Sequence, residues 1–206
     1  RKLPEFEKIE ISGNIDVILL NNDFKNEIYS NGDLNLQVFI KTKVENGILF
    51  ISYDNNVQII SQTEPLKVTV PSKKINEIIL KNGAKLSNLG SIEILKLKIS
   101  ASENSKADLK IKTDEVIIHT EGEAELKLSG NSNIVNISHN GTKDLDAKDL
   151  STLYSEIELN SSGSLYSNTV SGIDGNINST GNLYYKATKT VNVKENDCRF
   201  VSSNDF

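Results

Sequence analysis

The sequence has no tryptophan and no methionine, a single cysteine and three prolines, and aromatics make up only 6% of its 206 residues. A broad core built around large rings is therefore excluded, and the 37% of hydrophobic residues suit a thin aliphatic core. Cys198 alone provides no internal disulfide framework, no cysteine-rich zinc site and no setting for a cysteine nucleophile. No apolar run approaches the roughly 18 to 20 residues that a spanning helix requires, so no transmembrane segment is expected. Positive charge is also scarce. Against 28 acidic residues stand 23 basic ones, a formal charge of -5, which is the wrong sign for a nucleic-acid surface, and no basic patch reverses it. The first residues lack the charged-then-apolar order of a signal peptide. Because the chain starts at Arg1 rather than at a methionine, the expectation is that a leader has been removed and that the protein is exported.

What the sequence does have is alternation. "VIIHTEGEAELKLSG", residues 116–130, places apolar residues at every second position, breaks at a glycine, and alternates again. Rougher copies recur: Leu95, Leu97 and Ile99; Leu109 and Ile111; Val116 and Ile118; Leu126 and Leu128; Ile157 and Leu159; Val191 and Val193. A period of two means strands with one face buried, and helical spacing is sustained nowhere. Small turn residues fall at Gly83, Ser105, Gly122, Gly141, Gly163 and Gly181, at intervals of 22, 17, 19, 22 and 18. Such short strands cannot bury an apolar face alone, but stacked repeats form a continuous core in which each touches mainly its neighbours.

The pattern predicts an all-β fold, a parallel β-helix (solenoid) with about 20 residues per coil. Glycine at the corners would serve a positive backbone φ. A Greek-key sandwich or up-and-down barrel also uses short, evenly spaced strands, but the order within each repeat persists here and favours the solenoid. The expected organisation is one domain over 1–206, with irregular N-terminal coils and a cap in 1–74 and regular coils in 75–206. In the first part, Ile9 and Ile11 precede Gly13, and Ile15, Val17 and Leu19 follow it. Asn46-Gly47 marks a hairpin, Leu34, Leu36, Val38 and Ile40 read as a strand, and Pro65 and Pro71 bracket an edge-like strand.

"FEKIEISGNIDVILL", "GILFISYD" and "KVTVPSKKINEIILKNGAKLSNLG", followed by the turn-centred repeats, resemble the autotransporter adhesin, head GIN domain family of Bacteroidota cell-envelope proteins. The similarity runs from about Phe6 to Val201. The family's Ser-Gly-Ala-Ser turn is altered here to Asn82-Gly83-Ala84-Lys85, Ser105-Lys106-Ala107 and Glu121-Gly122-Glu123-Ala124, and Ala187 replaces a glycine in the closing "STGNLYYKAT". The resemblance implies a right-handed, single-stranded β-helix, export to the periplasm, outer membrane or exterior, and adhesion or surface binding. It brings no catalytic residues. Right-handedness also accords with the general preference of parallel crossovers.

Residues that could carry chemistry are few. His119 and His139 lie 20 apart, one repeat, and could stack on adjacent coils with Glu121 as a third metal ligand. Their turn offsets differ by one residue, so two unrelated histidines is the competing reading. Asp144, Asp146 and Asp149 could offer oxygens to calcium, although the glycine and bidentate glutamate of a calcium loop are missing. Tyr154, Tyr166, Tyr184 and Tyr185, near amides, could stack on sugars or dock a protein, or could cover the last coil. No cofactor is expected. The function so read is a non-catalytic structural or adhesive module whose partner is a surface glycan or protein. The alternative is a carbohydrate-active β-helix enzyme, a lyase or hydrolase; it is disfavoured because the only arginines, Arg1 and Arg199, stand at the two ends.

Overall fold

The computed structural model describes residues 2–21, 27–53, 66–178, 180–186, 189–195 and 200–202. Arg1, Pro65, Ala187, Cys198 and Arg199 lie outside them. The chain opens with β1 (Lys8–Ser12) and β2 (Asp16–Leu20), then β3 (Tyr29–Asn31), a one-turn helix α1 (Leu34–Gln37), and the strands β4 (Ile40–Glu45) and β5 (Ile48–Tyr53). After β6 (Lys67–Pro71), β7 (Glu77–Lys81), β8 (Lys85–Leu89) and β9 (Ile92–Ala101) come four long strands, β10 (Lys106–Gly122), β11 (Glu125–Gly141), β12 (Leu145–Leu159) and β13 (Leu165–Ile177). The last strands are β14 (Leu183–Lys186), β15 (Thr190–Glu195) and β16 (Phe200–Ser202).

The architecture is an all-β solenoid. Residues paired between neighbouring turns lie 19 apart in sequence from Ile92–Ile111 through Leu126–Leu145, and 20 apart at Leu145–Leu165. The pairs from β7 onward along the regular coils are parallel, as a repeating wind requires. Each long strand carries ladder segments of two successive faces, and the ladder skips a pair where the chain bends, as between Thr113–Ser132 and Glu115–Ile134.

Alternation builds the core. Ile9, Ile78, Ile99, Ile118, Ile137 and Ile157 follow one another in register through five ladders, all buried. A second inward column runs Leu86, Ala107, Leu126, Leu145, Leu165 and Leu183. Stacking like on like at the spacing of adjacent strands, about 4.8 Å, lets branched aliphatic side chains fill a narrow interior without rings. Each such buried side chain contributes roughly 1.5–3 kcal/mol of transfer free energy.

The N-terminal region is wound out of sequence order. β1 sits between β5 and β7, and β2 between β6 and β8, so the chain starts in the second turn and later passes on both sides of itself. Ile9, Ile11, Val17 and Leu19 are buried because each has a parallel neighbour on either side. β3 and β4 pair antiparallel with β6 and β5 and cover this end, as the edge of a sheet requires. The Asn46-Gly47 turn is the hairpin expected, with φ of 51° and 74° joining β4 to β5.

Several expectations are corrected. Residues 34–37 form α1 rather than a strand, and Val38 is 75% exposed. β6 has partners on both sides and is no edge strand. Leu95 is 75% exposed because the chain bends between the ladder segments at Ile92–Ile94 and Lys96–Ala101, which breaks the parity with Leu97. Val191 is exposed. Positive φ accounts for Gly83 and Gly122, but Gly163 and Gly181 are required for another reason. A Cβ at Gly163 would collide with the Lys143 carbonyl oxygen, and one at Gly181 with that of Gly163, so stacked turns close directly on one another's backbone.

Candidate binding surface

Outward parity places polar side chains in rows that cross the coils. On the face formed by the second halves of β10 to β13 and by β15, one row reads Ile134, Tyr154, Gly172, Thr190, the next Asn136, Glu156, Asp174, Asn192, and the next Ser138, Glu158, Asn176, Lys194. A shallow groove of about 480 Å3 runs over the latter two rows. Beyond them Asn160 Nδ2 donates to Asn140 Oδ1 at 3.0 Å, and Asn178 Nδ2 to Asn160 Oδ1 at 3.2 Å, an amide ladder that ties the turns together.

The face formed by β2, β6, β8, the first halves of β10 to β13, and β14 carries charge of both signs. Its groove of about 770 Å3 is lined by Lys67, Lys85, Lys106 and Lys127 and by Asp16, Asp108, Glu125, Asp144 and Asp146, among others. Much of this charge is satisfied internally, with Lys106 to Glu125 at 2.9 Å and Lys85 to Asp16 at 3.7 Å. In register with Lys127 and Asp146 stand Tyr166 and Tyr184, whose rings stack with centroids 4.9 Å apart and planes 11° apart. Each ring therefore spends a face on the other. Burial, then Asp144, Tyr184 and Asp146, push the Tyr166 phenol above its ordinary pKa.

The four tyrosines are thus divided. Tyr154 is 56% exposed on the first face, Tyr166 and Tyr184 pair on the second, and Tyr185, in register with buried Ser167, packs against the core.

The histidines are not brought together. His119 pairs with Ser138 and points outward, 3.8 Å from Glu121, whereas His139 pairs with Thr120 and points inward. Parity decides this: an offset of 20 in a ladder spaced by 19 shifts the second ring to the opposite side of the sheet. His139 is fully buried, its Nδ1 shares a 2.6 Å hydrogen bond with Thr120 Oγ1, and its Nε2 lies buried without a well-formed hydrogen bond. Burial pushes its pKa below the ordinary value, opposed by the Lys143 backbone and the Asp144 charge. The aspartates also serve local structure. Asp144 accepts from the Ser164 N–H at 2.8 Å, and Asp146 accepts from the Lys148 N–H at 3.1 Å and pairs with its ammonium at 3.2 Å. Asp149 lies beyond a β-bulge that separates it from Asp146. Among the described residues, no three His, Cys, Asp or Glu side chains are grouped to hold a metal ion.

One feature of the surface was missed at the sequence level. At one bend of the late coils the usual polarity is inverted: Thr113, Ser132, Thr152, Ser155 and Thr169 are buried, while Ile134, Leu153, Tyr154 and Val170 are exposed. The hydroxyls satisfy one another inside, Ser155 with Thr169 at 2.6 Å and Thr113 with Ser132 at 3.0 Å. Counting parity outward from Ile157 would have shown Ser155 inside and Tyr154 outside.

The fold and these surfaces define a β-solenoid that presents continuous polar faces over a sealed aliphatic core. Its sequence matches, over residues 5–188, the family described as "Putative auto-transporter adhesin, head GIN domain", and the chain belongs to that family. Among solved structures it is similar to a "putative adhesin" from Bacteroides fragilis NCTC 9343, with TM-score 0.88 and 20% identity over 97% of this chain and 92% of that one. A "putative adhesin" from Parabacteroides distasonis ATCC 8503 gives TM-score 0.71 and 18% identity over 95% and 91%. A "Putative lipid binding protein" from the same strain gives 0.66 and 16% over 98% and 95%. No curated protein matches the chain. Among the described residues, no helix is long and apolar enough to cross a membrane.

Proposed function

We propose that the chain is a non-catalytic adhesive module of the bacterial cell envelope, exported to the periplasm, the outer-membrane surface or the exterior, that holds a surface glycan or protein on an outer face. The observation that carries this is the pairing, in one solenoid, of a buried aliphatic interior and registered outer rows of amides, carboxylates and tyrosine. A repeated wind gives such rows a fixed spacing at no conformational cost on binding, which favours recognition of extended partners. Membership of the family described as "Putative auto-transporter adhesin, head GIN domain" and the fold shared with two proteins described as "putative adhesin" support the same reading.

In this reading the module is one domain over 1–206, with residues 1–74 supplying the out-of-order first turns and cap and 75–206 the regular coils. The wind is single-stranded and right-handed, parallel throughout except where β3 and β4 cover the end. Tyr154, the exposed one of the four tyrosines, is its chief aromatic contact, and no cofactor takes part. The test is an array of bacterial and host glycans together with immobilised envelope proteins, probed with the purified chain. Saturable capture by one class of target is the expected result. Silence across both classes would overturn adhesion and leave a scaffold.

A further inference from the structure

Resting on that adhesive reading, we infer that the face containing Tyr154 is the binding site and that its ligand is a neutral, polyhydroxylated glycan segment lying across the coils. Four features of that face converge. First, Tyr154 stands next to Gly172 in the adjacent strand, where a Cβ would meet Tyr154 Cδ1 at 3.3 Å and Cε1 at 3.5 Å. The phenol ring occupies the room a side chain at 172 would take, so it lies over the sheet and keeps a face toward solvent. Tyr166 and Tyr184 are the contrast, since each covers the other. An open aromatic face is what the C–H side of a pyranose requires.

Second, Tyr154 shares a bend with exposed Ile134, Leu153 and Val170, whose neighbouring hydroxyls are turned inside. An apolar rim with polar groups beginning two residues along the strand suits a ligand with one apolar and one hydroxyl-rich side.

Third, the neighbouring groove offers acceptors that the protein leaves unused. The Glu156 and Glu158 carboxylates make no hydrogen bond or ion pair among the described residues. Among the described residues the Asp174 carboxylate accepts from Asn192 Nδ2 alone, at 3.0 Å, which leaves it acceptor capacity. Carboxylates and amides side by side bind pairs of adjacent sugar hydroxyls, which donate and accept at once. Successive strands repeat these groups at about 4.8 Å, comparable to the rise of one sugar unit in an extended chain.

Fourth, charge selects the glycan class. Three carboxylates, Glu156, Glu158 and Asp174, face one ammonium, Lys194, along the groove. A uronate or sulfated chain would meet net repulsion there, while a neutral chain would not.

The test is calorimetric titration of the full chain with neutral hexose oligosaccharides, with uronate and sulfated oligosaccharides as charged probes. Tyr154→Ala should weaken neutral binding about tenfold, as loss of one aromatic contact does, and the isosteric Glu156→Gln should weaken it with unchanged circular dichroism. Lys127→Ala, in the groove of the other face, should bind as the parent does. Equal affinity in the parent and Tyr154→Ala, or loss in Lys127→Ala alone, would overturn the site and leave adhesion standing. Preference for the charged probes would overturn the neutral class, and capture of an envelope protein with no sugar bound would overturn the glycan altogether.

Discussion

The buried Thr120–His139 pair gives the fold an acid weakness that two substitutions should remove. Both residues lie in an inward column between aliphatic neighbours, with Leu80 and Ala101 before them and Leu159 and Ile177 after them. Burial lowers the His139 pKa from 6.5, so the folded chain favours the neutral ring. Below that value the unfolded chain takes up a proton that the folded chain resists. Stability is therefore full above pH 6.5 and declines as pH falls, until the lowered folded pKa is passed. Thr120→Val with His139→Leu replaces both partners by groups of the column's own kind. It also removes the buried Nε2, which lacks a well-formed hydrogen bond; a fully unmade one would cost about 1–3 kcal/mol. At roughly 2–4 °C per kcal/mol for a chain of this size, the double variant should melt at an equal or higher temperature than the parent at neutral pH. The single variant His139→Leu strands the Thr120 hydroxyl and should recover less. Thermal unfolding followed by circular dichroism between about pH 8 and about pH 5 reads both effects. A double variant that melts several degrees lower, or that keeps the parent's fall between those limits, would refute the reasoning.

Three further perturbations probe other parts of the fold. Ile118→Asp puts a charge between Ile99 and Ile137 and should cost about 3–5 kcal/mol or abolish folding, whereas an unchanged melting curve would place this side chain outside. Gly163→Ala should destabilise by about 1–3 kcal/mol by denaturant titration, because its Cβ meets the Lys143 carbonyl in the turn below; a neutral result would show that the stacked turns can part. Glu77, flanked by Lys8 at 2.7 Å and Lys98 at 3.3 Å, has a pKa held below 4.5, first by the Lys8 hydrogen bond. Its contribution is present above pH 4.5 and lost as pH falls through the lowered value, so Glu77→Gln should flatten acid unfolding in that lower window, leaving the His139 effect unchanged.

The regular coils were legible because burial at period two is a local pattern. Val116, Ile118, Leu126 and Leu128 all face inward as their spacing required. The bends were not legible from turn residues, only from counting parity back along the next strand segment. At Leu95 and at Leu153–Tyr154 the chain changes face, and a bend resets parity without any glycine or proline to mark it. The order of the first turns was equally hidden. That Ile9 finds both Leu49 and Ile78 as neighbours depends on long-range pairing that alternation in residues 8–20 cannot encode. For the surface, sequence spacing set His119 and His139 one repeat apart, but the wind's true step of 19 there turned one residue of difference into opposite sides of the sheet. The sequence marks Tyr154 only as one of four tyrosines near amides. What distinguishes it from Tyr166, Tyr184 and Tyr185 is the bare backbone of Gly172 beside it, a contact between turns.

The claim that the chain holds its partner without altering it is tested most directly by titrating the purified protein with the strongest ligand found on the array and recovering that ligand for mass spectrometry. Saturable binding with the ligand returned at its original mass is the predicted result. A shortened chain, or one carrying a new unsaturated end, would contradict the account and identify an enzyme.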